Sequence, residues 1–199
     1  MTPSLKTVVC CNRSPENAEK LARHVRQDLG LAAVVEPDLE TAVRQADLLS
    51  IAASRTAPLY LERSWIKPGC TLLASGPFQC DESLWLDMKI VLDNTALHQT
   101  YVKDGKENHD PTYGNHIGTP IYQLIDAGKL PDLTAFPTLG KIILGEETGR
   151  DHENQLLCFI NDGMAIFDMG LCHDLYQTAL AKGLGQKLTL WESAAQCEA

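Results

Sequence analysis

The 199-residue sequence contains no Gly-x-Gly-x-x-Gly turn and no other glycine-rich phosphate loop. It has no apolar run near the ~18 residues that a membrane-spanning helix needs, and no signal-peptide pattern at its start. A cytoplasmic protein with no membrane partner is expected. Cys-x-x-Cys pairs are absent, and the seven cysteines are odd in number and scattered, so neither a disulfide framework nor a zinc site is indicated. Cys10, Cys11, Cys70 and Cys158 fall in expected strands, where a free thiol acts as a small hydrophobe. Cationic excess is absent too. A formal net charge of -9 argues against a nucleic-acid partner, although one arginine and a helix N-terminus suffice for a local phosphate contact. No internal repeat or low-complexity tract occurs.

What is present is the composition of an ordinary globular protein, 44% hydrophobic and 22% charged. The first two-thirds of the chain alternates helix and strand as a parallel α/β sheet does. Thr7–Cys11 reads as a buried strand. Pro15–Leu29 reads as a helix with Ser14 as N-cap and Gly30 as stop. Ala18, Leu21, Ala22, Val25 and Leu29 give that helix one buried face. Leu31–Val35 is the next strand, and Asp38 caps a short helix. Asp47–Ser54 is an apolar strand whose continuous character suits burial on both faces. A crossover through Pro58 and Gly69 leads to the strand Cys70–Ala74, which Ser75-Gly76-Pro77 ends. A weak helix around Glu82–Trp85 and a strand Lys89–Asp93 follow. Gly105–Gly118 is polar and reads as a loop or insertion. Short helices are expected near Thr119–Ala127 and Thr138–Leu144, then a last strand Leu156–Ile160. Asn161-Asp162-Gly163 opens the longest helix, Met164 to about Lys182.

The first strand ends in Asn12-Arg13-Ser14. In a Rossmann fold the corner after the second strand meets the adenosine ribose, where a carboxylate would bind a free 2′-hydroxyl. Here a guanidinium stands instead, suited to gripping a phosphate and stacking on adenine. NADP(H) is therefore expected over NAD(H). The strand bearing the glycine-rich turn should lie about 20–30 residues upstream of this corner. The sequence reads as the downstream part of a nucleotide-binding protein. In the order 3-2-1-4-5-6 the strand it lacks would stand between the Thr7 and Asp47 strands. Poor solubility, oligomerisation or direct pairing of those two strands is the expectation for the isolated chain.

Asn12 to Lys20, Asp38 to Val43 with Ala46-Asp47, Trp65 to Gly69, and Asn161 to Asp168 together resemble the ornithine cyclodeaminase/mu-crystallin family. Order and spacing agree from Lys6 to about Leu190. The resemblance implies a Rossmann domain inserted in a substrate-binding and dimerisation domain. For this chain it implies an incomplete NAD(P)-binding domain over 1–160 and a C-terminal helical segment over 161–199. Family activities include lyases that recycle bound NAD, and NAD(P)-dependent reductases or dehydrogenases of cyclic imines and amino acids. By the same resemblance, Asn12, Arg13 and Ser14 would touch the adenosine end of the cofactor. Ala53 and Ser54 would line its path. Ser75 and Gly76 would lie near the nicotinamide, and Asn161 would face the same pocket.

Departures from the family shape the expected function. The glycine-rich loop and the substrate-binding Arg and Lys of the family are not in this sequence. Cyclodeaminases carry an acid/base Asp just after the glycine of the fifth-strand turn, whereas Gly76 precedes Pro77 and Phe78, which move no proton. The Leu-Gly-Glu motif stands as Leu139-Gly140-Lys141. The expected function is thus an NAD(P)H-dependent oxidoreductase of amino-acid metabolism, acting on an imine or amino acid, dimeric when intact and inactive as this piece alone. No catalytic residue is assigned. A cyclodeaminase-type lyase or a non-catalytic NADPH/small-ligand binding protein are the alternatives. His109, Asp110 and His116 lack any metal-ligand spacing, so no metal is expected. His173 and Asp174 sit beside Leu171, Leu175 and Tyr176 and read as helix-packing residues. Asp168 suits the first turn of its helix.

Overall fold

The computed structural model describes residues 5–53, 59–109, 113–186 and 188–189, with the side chains of Asn115 and Phe167 excepted. The chain divides into two compact units, Met1–Gly163 and Met164–Ala199.

The first unit begins with a strand–helix–strand module: β1 (Thr7–Cys10), α1 (Pro15–Asp28) and β2 (Ala32–Val35). Ser14 caps α1, its hydroxyl accepting from Asn17 N at 3.4 Å, and Pro15 occupies the first turn. The two strands pair in parallel from Thr7↔Ala32 to Cys10↔Val35 and form a sheet of their own. Cys10, Ala22, Val25 and Ala33 make a small separate core beneath it. Of the face expected for α1, Ala18, Ala22 and Val25 are buried, while Leu21 and Leu29 are 52% and 44% exposed. A two-stranded sheet covers too little of a four-turn helix to bury the whole stripe.

α2 (Leu39–Gln45), capped by Asp38 through Thr41 N, leads into β3 (Leu48–Ile51). Then come β4 (Leu59–Tyr60), β5 (Thr71–Ala74), β6 (Phe78–Gln79), α3 (Glu82–Asp87) and β7 (Lys89–Leu92). α4 (Thr95–Glu107), α5 (Thr119–Asp126), α6 (Leu139–Leu144) and β8 (Leu157–Ile160) complete the unit. The main sheet has the order β3-β5-β8-β7 and is parallel throughout. β4 and β6 add a two-residue parallel pair. Leu72, Leu92, Cys158 and Ile160 are completely buried at the sheet, with Ile51, Leu84, Ile121 and Tyr122 packed around them.

Three expectations fail here. β3 is not buried on both faces: Leu48 is 56% exposed and only Ile51 is buried. Among the described residues it is an edge strand paired with β5 alone, so its apolar run has no second neighbour there to cover it. Of the three outcomes expected for the unflanked strands, direct pairing of β1 with β3 is not seen among the described residues, where β1 pairs with β2 and β3 with β5 in different sheets. Finally, the segment from Gly105 is not all loop, because α4 runs through it to Glu107.

In the second unit, α7 (Ala165–Ala181) carries Ile166, Met169, Leu171, Leu175, Tyr176 and Leu180, all more than half exposed. His173 and Asp174 are exposed as well. Apolar residues occur all round this helix, so it has no polar face to turn to solvent.

Candidate functional site

Parallel α/β sheets bind ligands outside the carboxyl ends of their strands, and the residues singled out in the sequence lie there. β3, β5 and β8 bring Ala53, Ser75, Gly76 and Asn161 together. Ser75 N donates to Ile51 O at 2.9 Å and Asn161 N to Ala74 O at 3.0 Å, carrying the ladder one step past each strand. Asn161 Nδ2 donates to Ser75 Oγ at 3.1 Å and ties the β8 turn to the β5 turn. A Cβ on Gly76 would stand 2.7 Å from Ala53 O and 2.8 Å from Ala53 N. Glycine is required at that position because the two strand ends approach so closely. Ser54 lies outside the described residues.

Asn12, Arg13 and Ser14 stand at the end of β1, in the other sheet, and no hydrogen bond joins them to the group above. Asn12 Oδ1 accepts from Ser14 N at 2.8 Å, and the Ser14 hydroxyl serves the helix cap. Arg13 is exposed, with no ion pair to a described residue. The guanidinium is thus open to a ligand, while the Ser14 side chain is already engaged.

A second cluster, which sequence reasoning missed, lies beside the β8 turn. His98, in the first turn of α4, is fully buried. Its Nε2 stands 2.9 Å from Asp93 Oδ1 and its Nδ1 2.5 Å from the Tyr122 hydroxyl. Asp93 Oδ1 also accepts from Asn94 N, and Oδ2 from Gly163 N at 3.1 Å. Burial pushes the Asp93 carboxyl up, but the His98 contact and the Asn94 and Gly163 amides outweigh it and hold it below the usual range. Tyr122 is raised, first by burial and then by the charge of Asp162. Asp162 Oδ1 accepts from Ile117 N at 3.0 Å. Asp93 and His98 share the β7–α4 corner, but Tyr122 and Asp162 come from distant segments, so no local spacing announces the set. The available signal was weak: a strand ending in Asp, an Asn cap, and a His one turn into a helix of mixed composition.

Other chemistry is poorly served. Burial pushes the Cys70 thiol up to about 11 and Cys80 to about 12, so neither is a thiolate nucleophile. No group of three His, Cys, Asp or Glu that could hold a metal occurs among the described residues, and Asp110 lies outside them. No described helix is long and apolar enough to cross a membrane.

The sequence matches the ornithine cyclodeaminase/mu-crystallin family over residues 2–183. This chain belongs to that family. A Δ1-pyrroline-2-carboxylate reductase of Bacillus cereus is 27% identical over 184 residues, covering 92% of this chain and 53% of the relative. Among solved structures, the Δ1-pyrroline-2-carboxylate reductase of Thermococcus litoralis, in complex with NADH and L-proline, superposes with a TM-score of 0.71 at 21% identity. It covers 92% of this chain and 53% of that one. An archaeal alanine dehydrogenase dimer with bound NAD gives 0.68 at 24% identity, covering 94% and 53%. The fold is thus a Rossmann-like α/β arrangement of parallel sheets. The chain spans about half the length of the curated relatives it matches.

Within this family the residues fit a dinucleotide in part. The strand-end group offers the close backbone approach at Gly76, and the Asn161 side-chain oxygen has no described donor. Arg13 offers a free cation. The consecutive amides that cradle a pyrophosphate are not in the sequence. Phe78 is buried and stacked on Trp85 with ring centres 4.9 Å apart, so it belongs to the core and not to a proton-transfer site. Lys141 pairs with Glu147 at 3.2 Å. Leu-Gly-Glu does occur, a little further on, as Leu144-Gly145-Glu146 at the end of α6.

Proposed function

We propose that this chain is the greater part of the cofactor-binding half of an NAD(P)H-dependent oxidoreductase acting on a cyclic imine or amino acid. The observation that carries this reading is the convergence of Ala53, Ser75, Gly76 and Asn161 at adjoining strand ends, with no proton-transferring side chain at Pro77 or Phe78. A deaminating cyclisation needs such a group after Gly76; a hydride transfer does not need it there. Bound nicotinamide would supply the hydride. Ser75 and Asn161 would orient the ring, Ala53 and Ser54 would line the approach, and Asn12, Arg13 and Ser14 would hold the adenosine end. Arg13 makes NADP(H) the preferred form, since a guanidinium at this corner pairs with a 2′-phosphate that a carboxylate would repel. The intact form would be a cytoplasmic homodimer; the archaeal alanine dehydrogenase is a dimer too.

The pairing pattern also supports a division of labour. β1 and β3 each lack a neighbour on one side among the described residues, and the strand they would share is the one that carries the pyrophosphate turn. These 199 residues are therefore expected to bind NADPH weakly and to turn over no imine by themselves. Activity is expected when a strand and glycine-rich turn are supplied, in cis or in trans.

Calorimetric titration with NADPH and NADH tests this reading, together with the reduced-nicotinamide absorbance on adding pyrroline-2-carboxylate or an amino acid. With a strand and glycine-rich turn supplied, Arg13→Ala should weaken NADPH about ten- to hundredfold and NADH little, the span of one charge-assisted hydrogen bond. Equal loss for both cofactors would remove Arg13 from the 2′ position. Tight binding with turnover by the chain alone would refute the division of labour.

A further inference from the structure

The Asp93–His98–Tyr122–Asp162 cluster does no work in the reading above, and its protons do not balance. A neutral His98 has one N–H. Directed at Asp93 Oδ1, it leaves Nδ1 to accept the Tyr122 hydroxyl proton. That spends every donor of the four side chains. Asp162 Oδ2 then faces His98 Nδ1 at 3.7 Å, on a side chain only 2% exposed, with no hydrogen-bond donor among the described residues. Buried carboxylate oxygens are seldom left so.

We propose that Asp93, His98, Tyr122 and Asp162 form a proton-holding unit, carrying one proton more than a neutral imidazole supplies, that positions the Asn161–Gly163 turn. The extra proton sits on His98 Nδ1. It is donated to Tyr122 Oη at 2.5 Å and sets its charge 3.7 Å from Asp162 Oδ2, an ion-pair distance. Two buried carboxylates then share one imidazolium between them, Asp93 through the 2.9 Å contact to Nε2 and Asp162 by charge alone. The packing fixes this geometry. A Cβ on Gly118 would stand 2.6 Å from the Tyr122 hydroxyl, so only glycine lets the phenol reach His98. The titratable groups around the ring are Asp93 at the end of β7, Tyr101 on α4 and Tyr122 on α5. Asp162 after β8 and, farther out, Tyr113 and His116 complete the set. His116 stacks on Tyr101 with ring centres 3.9 Å apart, and Tyr113 stacks on Tyr122.

The unit reaches the strand ends through the backbone. Asp93 holds the Gly163 amide and Asp162 holds the Ile117 amide. Asn161 lies between β8 and these anchors, with its side chain on Ser75. His98 is thus a positioning residue for that turn. Its consequence for a cofactor rests on the proposed function, whereas the proton count does not.

The test is a nitrogen-15 histidine spectrum of the full chain without cofactor, recorded across about pH 5–9, a range that spans and exceeds the one in which an ordinary histidine loses its proton. His98→Gln assigns the signals. If that variant does not fold, Asp162→Asn assigns them by the shift it induces. Both ring nitrogens of His98 are expected to be protonated at neutral pH. Asp162→Asn removes the second carboxylate charge, and His98 should become neutral while the turn stays ordered. In the wild type, protection of the Gly163 and Ile117 amides against exchange, corrected for intrinsic rates, should fall roughly five- to tenfold as His98 loses its proton, the worth of about one hydrogen bond. In Asp162→Asn that pH step should vanish, an outcome that mere structural support does not produce. A neutral His98 in the wild type at neutral pH would overturn the proposal. So would an imidazolium that persists in Asp162→Asn. Neither outcome depends on dinucleotide binding, so failure here and failure of the oxidoreductase reading are separately visible.

Discussion

The β1-α1-β2 module and the four-stranded sheet obey the same alternation of strand and helix, yet they bury very different amounts of side chain. β5 and β8 each have a parallel neighbour on both sides, and Leu72, Ala74, Cys158 and Ile160 on them are fully buried. Among the described residues β1 and β2 have only each other. Their core is one cysteine, two alanines and a valine, with Val34 46% exposed. Propensity and capping are as good in α1 as in any helix of the sheet, so local preference does not explain the contrast. A parallel strand becomes a core strand by being flanked. The module is well formed locally and incompletely covered.

The largest expected effect falls on the sheet side, at Asp93. Asp93→Ala would strand His98 beside Asp162 and release the Gly163 and Asn94 amides. Breaking a buried charge pair in this way costs about 3–5 kcal/mol, read as a lower denaturation midpoint at neutral pH. The wild type should also show the sign of this linkage. Asp93 titrates lower in the folded chain than in the unfolded one, so its contribution is complete above about pH 4, the unfolded value. It is lost as pH falls through the lower native value. Asp93→Asn should flatten that acid limb; an unchanged acid limb would show that other carboxylates govern it.

A paired substitution sharpens the comparison. Leu72→Ala empties a fully buried site between β3 and β8 and should cost about 2–5 kcal/mol. Val25→Ala, in the module, removes roughly two methylenes of burial, about 1–2 kcal/mol. Amide exchange should show that Val25→Ala exposes β1 and β2 and leaves β5 and β8 protected, because the two cores are separate. If Val25→Ala lowered protection across the main sheet equally, the two regions would be one cooperative unit and the contrast would collapse.

The same distinction governs how much was legible in the sequence. Wherever a segment's fate follows from its own residues, reading succeeds: Ser14, Pro15 and Gly30 bound α1, and Asp38 starts α2. Apolar runs mark β5, β7 and β8. Reading fails where the neighbour decides. The apolar run of β3 predicts burial on both faces and says nothing of an edge. α4 escaped because its inward positions include His98 and Tyr101, not a stripe of leucines, and a polar composition from Gly105 onward imitates a loop. Of the site, the strand-end residues were legible because a strand followed by a turn marks its own carboxyl end. The His98 cluster was not, because Asp93, His98, Tyr122 and Asp162 meet only through the order β8-β7 and the packing of α4 on α5.

The smallest effect is at Ser14, where local capping and ligand contact compete for one hydroxyl. Its bond to Asn17 N is long, at 3.4 Å, and exposed, so Ser14→Ala should cost toward the low end of the capping range, about 0.5–1 kcal/mol. The loss should appear in the module alone, as faster exchange in the first turn of α1. Ser14→Asp separates the two roles. Aspartate caps as well as serine and suits the positive end of the helix dipole, so stability should hold or rise. It also places a carboxylate beside Arg13, at the corner assigned to the 2′-phosphate. Once the flanking strand is supplied, Ser14→Asp should weaken NADPH and leave NADH nearly unchanged. A variant that is stable and still prefers NADPH would move the phosphate away from this corner, and the module would then be a structural flank of the sheet with no part in choosing the cofactor.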